Sequence, residues 1–243
     1  MLICLVYHKV LLHVDHSVHS VSRAGFVRQL SLLRQSGLPV VDPQLLAQHT
    51  AEPSGILLTF DDATSDHFDS VRPLLAHFGM QAIFYVPTAR LDQGGCLTTR
   101  QLQTLASDGH TIGSHSDTHP RLTEVDAEEA FLEMKNSAAI IENLAARRAL
   151  HFAPPGGIYN ETVQRLAQRA GYLSFRTMDW GYNRRLDLMR MEVVPMTERW
   201  GESFLKRALS CDSDWAFKLA FRMKRGFRSL QAGCGKLQRR LAG

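Results

Sequence analysis

The 243-residue chain has little cysteine and does not group what it has. Cys4, Cys96, Cys211 and Cys234 show no C-x-x-C pairing and no close spacing, which argues against a zinc–cysteine site and suits a reduced thiol set. No stretch approaches the roughly 20 apolar residues needed to span a bilayer. The opening run Met1-Leu2-Ile3-Cys4-Leu5-Val6-Tyr7-His8 is too short for the apolar segment of an export signal and has no basic residues ahead of it. It reads as a first strand, and the expectation is a cytoplasmic protein. No G-x-G-x-x-G turn is present, so a dinucleotide-binding sheet is disfavoured. Internal repeats and low-complexity linkers are also missing. Acid is absent from one end. From Trp215 onward there are eight Lys/Arg and no Asp or Glu, leaving 20 basic against 24 acidic side chains in the rest. The pI near 9.0 therefore belongs to the tail, and no nucleic-acid partner is expected.

What the chain does have is alternation. At 44% hydrophobic it can bury one substantial core. Apolar strand runs at Leu2–Tyr7, Leu38–Val41, Ile56–Phe60, Ala82–Val86, Thr111–Ser114, Leu150–Phe152, Leu173–Phe175 and Met191–Val194 are separated by helix-periodic segments. Ser22 is placed to cap a helix with Phe26, Leu30 and Leu33 on one face, stopped by Gly37. Thr98 with Gln101, and Asp126 with Glu129, have capping-box spacing, and Asn160 opens a helix closed by Gly171. Pro73 must lie near the start of its helix or kink it. Seven or eight such βα units predict an α/β fold, a distorted seven- or eight-stranded TIM-like (β/α) barrel. Residues 1–200 are expected to form the barrel and 201–243 a basic helical extension.

The polar residues fall where barrels place their sites, at the carboxyl ends of strands. His8 follows the first strand, Asp61-Asp62 follow Ile56–Phe60, His115 follows Thr111–Ser114, and Pro154–Gly157 follow Leu150–Phe152. A buried strand that empties into two acids is unfavourable unless the charges are paired or bound to a cation. One carboxylate with two histidines four apart, His115 and His119, is an open ligand set for a divalent metal, and the spare carboxylate stands where a general base is wanted. Either signal alone is weak, because two histidines on one helical turn are often plain surface residues and two acids after a strand can cap a helix. Their conjunction is what points to metal-assisted hydrolysis. His13, His16, His19, His49, His67 and His77 lack such a context.

Thr59-Phe60-Asp61-Asp62, Ser114-His115-Ser116-Asp117-Thr118-His119-Pro120 and Phe152-Ala153-Pro154-Pro155-Gly156-Gly157-Ile158-Tyr159-Asn160 resemble, in order and spacing, the first three motifs of the polysaccharide deacetylase (NodB-homology) family of carbohydrate esterases. Val6-Tyr7-His8-Lys9-Val10 is similar to the Tyr-His-x-Val start of members with a shifted motif order, and the resemblance covers about residues 1–196. It implies Asp61 as catalytic base, Asp62, His115 and His119 as ligands of one divalent ion, with zinc expected, and a Gly156 backbone N–H at the oxyanion. The implied reaction removes N-acetyl groups from amino sugars in an oligo- or polysaccharide. Alternatives are an O-deacetylase or deformylase acting on a lipid-linked or soluble sugar, and a non-catalytic carbohydrate-binding relative.

The chain departs from the family pattern in places. Ala63 replaces the glycine after the acids. Ala153 stands where an arginine orients the base, and Gly156 where an aromatic is usual. Arg190 is the expected substitute for that arginine. No histidine follows His151, so the late histidine that serves many members as general acid is missing, and His8 is the expected replacement. Asp179-Trp180 aligns only loosely with a fourth motif and reads equally well as a solvent-facing loop. The segment from Trp215 to Arg225 mixes aromatics and cations, so it is read either as a helix packed on the barrel or as a peripheral contact with anionic lipid.

Overall fold

The computed structural model describes residues 1–13, 19–47, 53–199 and 201–210. Strand β1 (Leu2–Tyr7) is followed by a small parallel pair outside the barrel, β2 (Lys9–Leu11) and β3 (Ser20–Ser22), and by β4 (Gly55–Asp61). The order continues with β5 (Ala82–Val86), β6 (Thr111–Ser114), β7 (His151–Phe152), β8 (Ser174–Trp180) and β9 (Met191–Pro195). Strands β1, β4, β5, β6, β7, β8 and β9 close a seven-stranded parallel barrel, with β9 returning to β1. Every residue of β1, β4 and β5 is buried. That is the consequence of covering a parallel sheet on both faces, and it is why these strands read as continuous apolar runs. Tyr7 pairs with Phe60, so His8 and Asp61, the next residues on neighbouring strands, leave the barrel at one level.

The helices form as their caps direct. Ser22 accepts the Gly25 N–H at 2.9 Å to start α1 (Arg23–Gln35), whose Phe26, Leu30 and Leu33 are buried. A π-helical turn over His67–Val71 leads into α2 (Arg72–Phe78), and Pro73 stands in the first turn of α2. Thr98 and Gln101 make the reciprocal capping box of α3 (Thr99–Ser107). Asp126 caps α4 (Ala127–Ala145), and Asn160 caps α5 (Glu161–Ala170), which Gly171 closes in the left-handed region.

Two expectations change. Leu38–Val41 is not a barrel strand; Val40 meets Ile56 in an isolated bridge, and Pro39 in the middle of the run has no N–H with which to extend a ladder. Asp179 and Trp180 lie in β8 and are 9% and 8% exposed, so the loop reading is wrong. Helix α6 (Glu202–Ser210), inside the segment expected as an extension, packs Leu205 and Ala208 into the structure beside α1, and Glu202 lies 3.4 Å from Arg28. The basic tail, with Trp215–Arg225, lies outside the described residues. Cys4 and Cys96 are free thiols. Among the described residues no helix is long and apolar enough to cross a membrane.

Two histidines sit at the amino ends of strands: His110 before β6 and His151 at the start of β7, 3% and 2% exposed. Burial pushes each down to about 4. Both are therefore neutral in the folded protein at neutral pH, whereas an unfolded histidine protonates near 6.5. Between about 6.5 and 4 the unfolded chain binds protons that the folded chain refuses, so stability falls as pH falls through that window. Urea unfolding of the metal-free protein at pH 7, 6, 5 and 4.5 should show a progressively lower midpoint. An unchanged midpoint across the window would contradict the burial of these two rings.

Candidate metal centre and active site

Four loops at the carboxyl ends of β1, β4, β6 and β7 carry the site. Asp61 is the last residue of β4 and is 2% exposed. Asp62 and Ala63, the next two residues, have φ of 78° and 52°. The chain turns out of the barrel through the left-handed region, where the glycine usual at position 63 is free of the Cβ clash that Ala63 must bear. The loop after β6 is not a helical turn. Its backbone reverses at Ser116 (φ 64°) and His119 (φ 70°), and His119 N–H donates to the Ser116 hydroxyl at 3.0 Å.

These turns bring three ligand groups together. His119 Nε2 lies 3.3 Å and His115 Nε2 3.7 Å from Asp62 Oδ1, and the ligand atoms of all three residues fall within 4.8 Å of one another. Two ligands each about 2.1 Å from one ion at a tetrahedral angle stand about 3.4 Å apart, so the spacing suits a single divalent ion. His119 Nε2 is buried and, apart from this approach to Asp62 Oδ1, meets no partner, as a nitrogen facing a metal position would. His115 Nδ1–H donates to the Ala153 carbonyl at 2.7 Å, which fixes the tautomer and leaves Nε2 as the ligand atom. Burial pushes the His115 ring down to about 4, so at pH 7 it is neutral, the form that can ligate a metal. Burial works against the Asp62 carboxylate, but the imidazoles of His119, His115 and His8 outweigh it and hold the group well below the usual carboxylate range.

Asp61 faces the other way. Arg176 Nη2 donates to both of its carboxylate oxygens, at 2.5 Å. Arg176 is fully buried, stacks its guanidinium 4.9 Å from the Tyr85 ring centroid, and donates to the Thr177 carbonyl at 3.4 Å. This corrects the expectation for Arg190. Arg190 ends the 3-10 turn Leu188–Arg190 just before β9 and points at Asp179, 3.5 Å away, with its side chain 60% exposed. Asp179 also accepts the Tyr159 hydroxyl at 2.7 Å. The cation that holds Asp61 is Arg176. It comes from the middle of β8, where the side-chain alternation turns it into the barrel.

His8 Nε2 stands 3.8 Å from Asp61 Oδ2, with 18% of the side chain exposed. Burial lowers the pKa of its ring, and the carboxylates of Asp61 and Asp62 only partly restore it. Its carbonyl accepts from Nε2 of His67, a ring with no exposure. Gly156 lies exposed in the turn after β7 with φ of 63°. Thus Asp61, Asp62, His8, His115 and His119 converge, Gly156 lies on the adjoining loop that follows Ala153, and Arg190 belongs to a separate cluster. Sequence reasoning missed Arg176, His67 and Glu133. Arg176 had the same signal as the two acids, a charge directly after an apolar strand run. Glu133 had a subtler one, an acid on the apolar stripe of α4 beside Ala130, Met134 and Ala138.

Residues 48–175 match the family model described as polysaccharide deacetylase. YxkH of Bacillus subtilis, whose name places it among polysaccharide deacetylases, is 26% identical over 167 residues, 65% of this chain and 60% of the relative. The peptidoglycan-N-acetylglucosamine deacetylase PgdA of Listeria monocytogenes is 28% identical over 129 residues, 52% of this chain and 27% of the relative. This chain therefore spans less than two thirds of the length of either. The Streptococcus pyogenes deacetylase PplD, solved in complex with acetate, superposes with a TM-score of 0.77 at 21% identity, over 86% of this chain and 97% of that one. That likeness establishes the shared fold.

Removing the Arg176 charge should leave Asp61 buried and unpaired. Arg176→Met is expected to lower stability by about 3–5 kcal/mol, the usual cost of breaking a buried ion pair from one side. Adding Asp61→Asn should recover part of that loss. Urea unfolding of the wild type, both single variants and the double variant gives the coupling energy directly, and additive losses would mean that the two side chains do not interact.

Proposed function

Since the chain belongs to the polysaccharide deacetylase family, we propose that it is a metal-dependent deacetylase that removes N-acetyl groups from amino sugars in an oligo- or polysaccharide. The carrying observation is the triangle of Asp62, His115 and His119 set beside an arginine-held Asp61 at the carboxyl rim of the barrel. Zinc is the proposed metal, because one carboxylate and two imidazoles leave positions open, as catalytic zinc sites do. The name of PgdA, an N-acetylglucosamine deacetylase, supports an acetamido sugar as substrate.

In this reading Asp62, His115 and His119 hold the ion. Bound there, a divalent cation supplies Lewis acidity toward a carbonyl oxygen and makes a nearby water more acidic. Asp61 takes the proton of the attacking water, and Arg176 keeps its carboxylate in one orientation while it does so. The new C–O bond forms at the acetyl carbon and the C–N bond breaks, giving acetate and a free amine. His8, whose Nε2 stands 3.8 Å from Asp61 Oδ2, takes up a proton to become imidazolium and delivers it to the departing nitrogen, returning to neutral imidazole. Tyr7-His8-Lys9-Val10 would then be the N-terminal motif that replaces a late histidine. The Gly156 N–H is the proposed donor to the oxyanion.

Acetate release from N-acetylglucosamine oligomers is the direct test. It should depend on metal, disappear with a strong chelator and return with added zinc. Asp62→Asn and His115→Ala should lose both metal and turnover, whereas Asp61→Asn should keep metal and lose roughly 10²-fold or more of the rate. Loss of metal with Asp61→Asn but not with Asp62→Asn would exchange the roles of the two acids. His8→Ala should impair an amide far more than an activated ester, whose leaving group needs little protonation. Equal losses on the two substrates would remove the general-acid role from His8.

A further inference from the structure

Glu133 lies on the buried face of α4 and is 9% exposed. Its carboxylate takes three donors from the segment between the two site histidines. Oε2 accepts the Asp117 N–H at 2.9 Å and the Thr118 N–H at 2.8 Å, and Oε1 accepts the Thr118 hydroxyl at 2.6 Å. One turn along the helix, the fully buried Ser137 accepts the Ser114 hydroxyl at 2.8 Å, and Ser114 Oγ in turn accepts the Ser116 N–H at 3.2 Å. The Thr88 hydroxyl donates to Asp117 Oδ1 at 2.6 Å.

These contacts hold a loop that would not keep its shape alone. Ser116 and His119 are both non-glycine residues in the left-handed region, where the Cβ crowds the backbone and the conformation is unfavourable on its own. Such conformations persist only where the surroundings over-determine them. Hydrogen bonds to an ionised carboxylate are among the stronger ones available, and three of them converge on Glu133. A loop without them would sample other conformations, and its ordering would be subtracted from the free energy of metal binding. Glu133 itself is outside the set of ligand groups that converge on Asp62.

We infer that Glu133 is a positioning residue for the metal centre: by fixing the Asp117–Thr118 peptide groups it pre-organises His115 and His119 and so sets metal affinity. The inference rests on the reading of Asp62, His115 and His119 as ligands, and deepens it. The test titrates metal-free full-length protein with Zn²⁺ against a chromophoric chelator, for the wild type, Asp62→Asn, Glu133→Ala and Glu133→Gln. The wild type should bind one ion per chain and Asp62→Asn should not. Glu133→Ala should bind about 10–100-fold more weakly, the range seen when outer-shell partners are lost. Glu133→Gln keeps an oxygen for the backbone donors but loses the charge, so it should fall between. Thermal melting of the metal-free variants identifies which are folded, and if Glu133→Ala is not, Glu133→Gln decides alone. Wild-type affinity in a folded Glu133 variant overturns the inference. A wild type that binds no ion, or an Asp62→Asn variant that binds as well as it does, overturns the ligand reading and the inference with it.

Discussion

The rest of the site depends on a charge pair buried in the barrel. Desolvating Asp61 and Arg176 costs several kcal/mol for each ion, and the pairing must offset that within a lumen otherwise filled by apolar and aromatic groups. Arg176 is raised by Asp61 and Tyr85 even though burial opposes its charge. Removing either member alone leaves the other a buried charge without its partner, at a cost in stability. The pair holds Asp61 on the barrel side, so that Asp62, one residue later, can turn outward to face His115 and His119. Two adjacent acids are thereby divided between two environments, one dry and paired, the other open to a cation.

The barrel was legible because it is written in local patterns. Continuous apolar strands, caps such as Ser22, Thr98 and Asn160, and stops such as Gly171 state each element within a few residues. The acids and histidines were legible for a different reason, since polar groups at the ends of apolar runs have few structural explanations. Arg190 illustrates what was not legible. It and Arg176 are both arginines near the last strands, and only the direction of each side chain relative to the barrel axis separates them. Arg176 sits one residue beyond the apolar run that was read as its strand, so the inward alternation that places it was cut off. Pro39 shows the reverse error, an apolar run that lacks the N–H needed to join the ladder.

The site histidines also had a structure other than the one their spacing suggests. Four apart, they fit one face of a helix, yet the chain reaches the same convergence with a loop that reverses at Ser116 and His119. Nothing in the spacing distinguishes the two routes. The distinction matters because a helical turn is held by its own hydrogen bonds, whereas this loop is held by α4, whose contacting residues lie about fifteen positions further along the chain.

The bond from His115 to the Ala153 carbonyl has an evolutionary consequence. The acceptor is a main-chain oxygen, which any residue at that position supplies. Orientation of the imidazole therefore places no demand on the side chain at 153, and once β8 provides a guanidinium from Arg176, Asp61 places none either. Position 153 is thus released from two tasks at once. A small residue suffices there, and Ala153, with no exposure, is left to act as packing in the barrel wall.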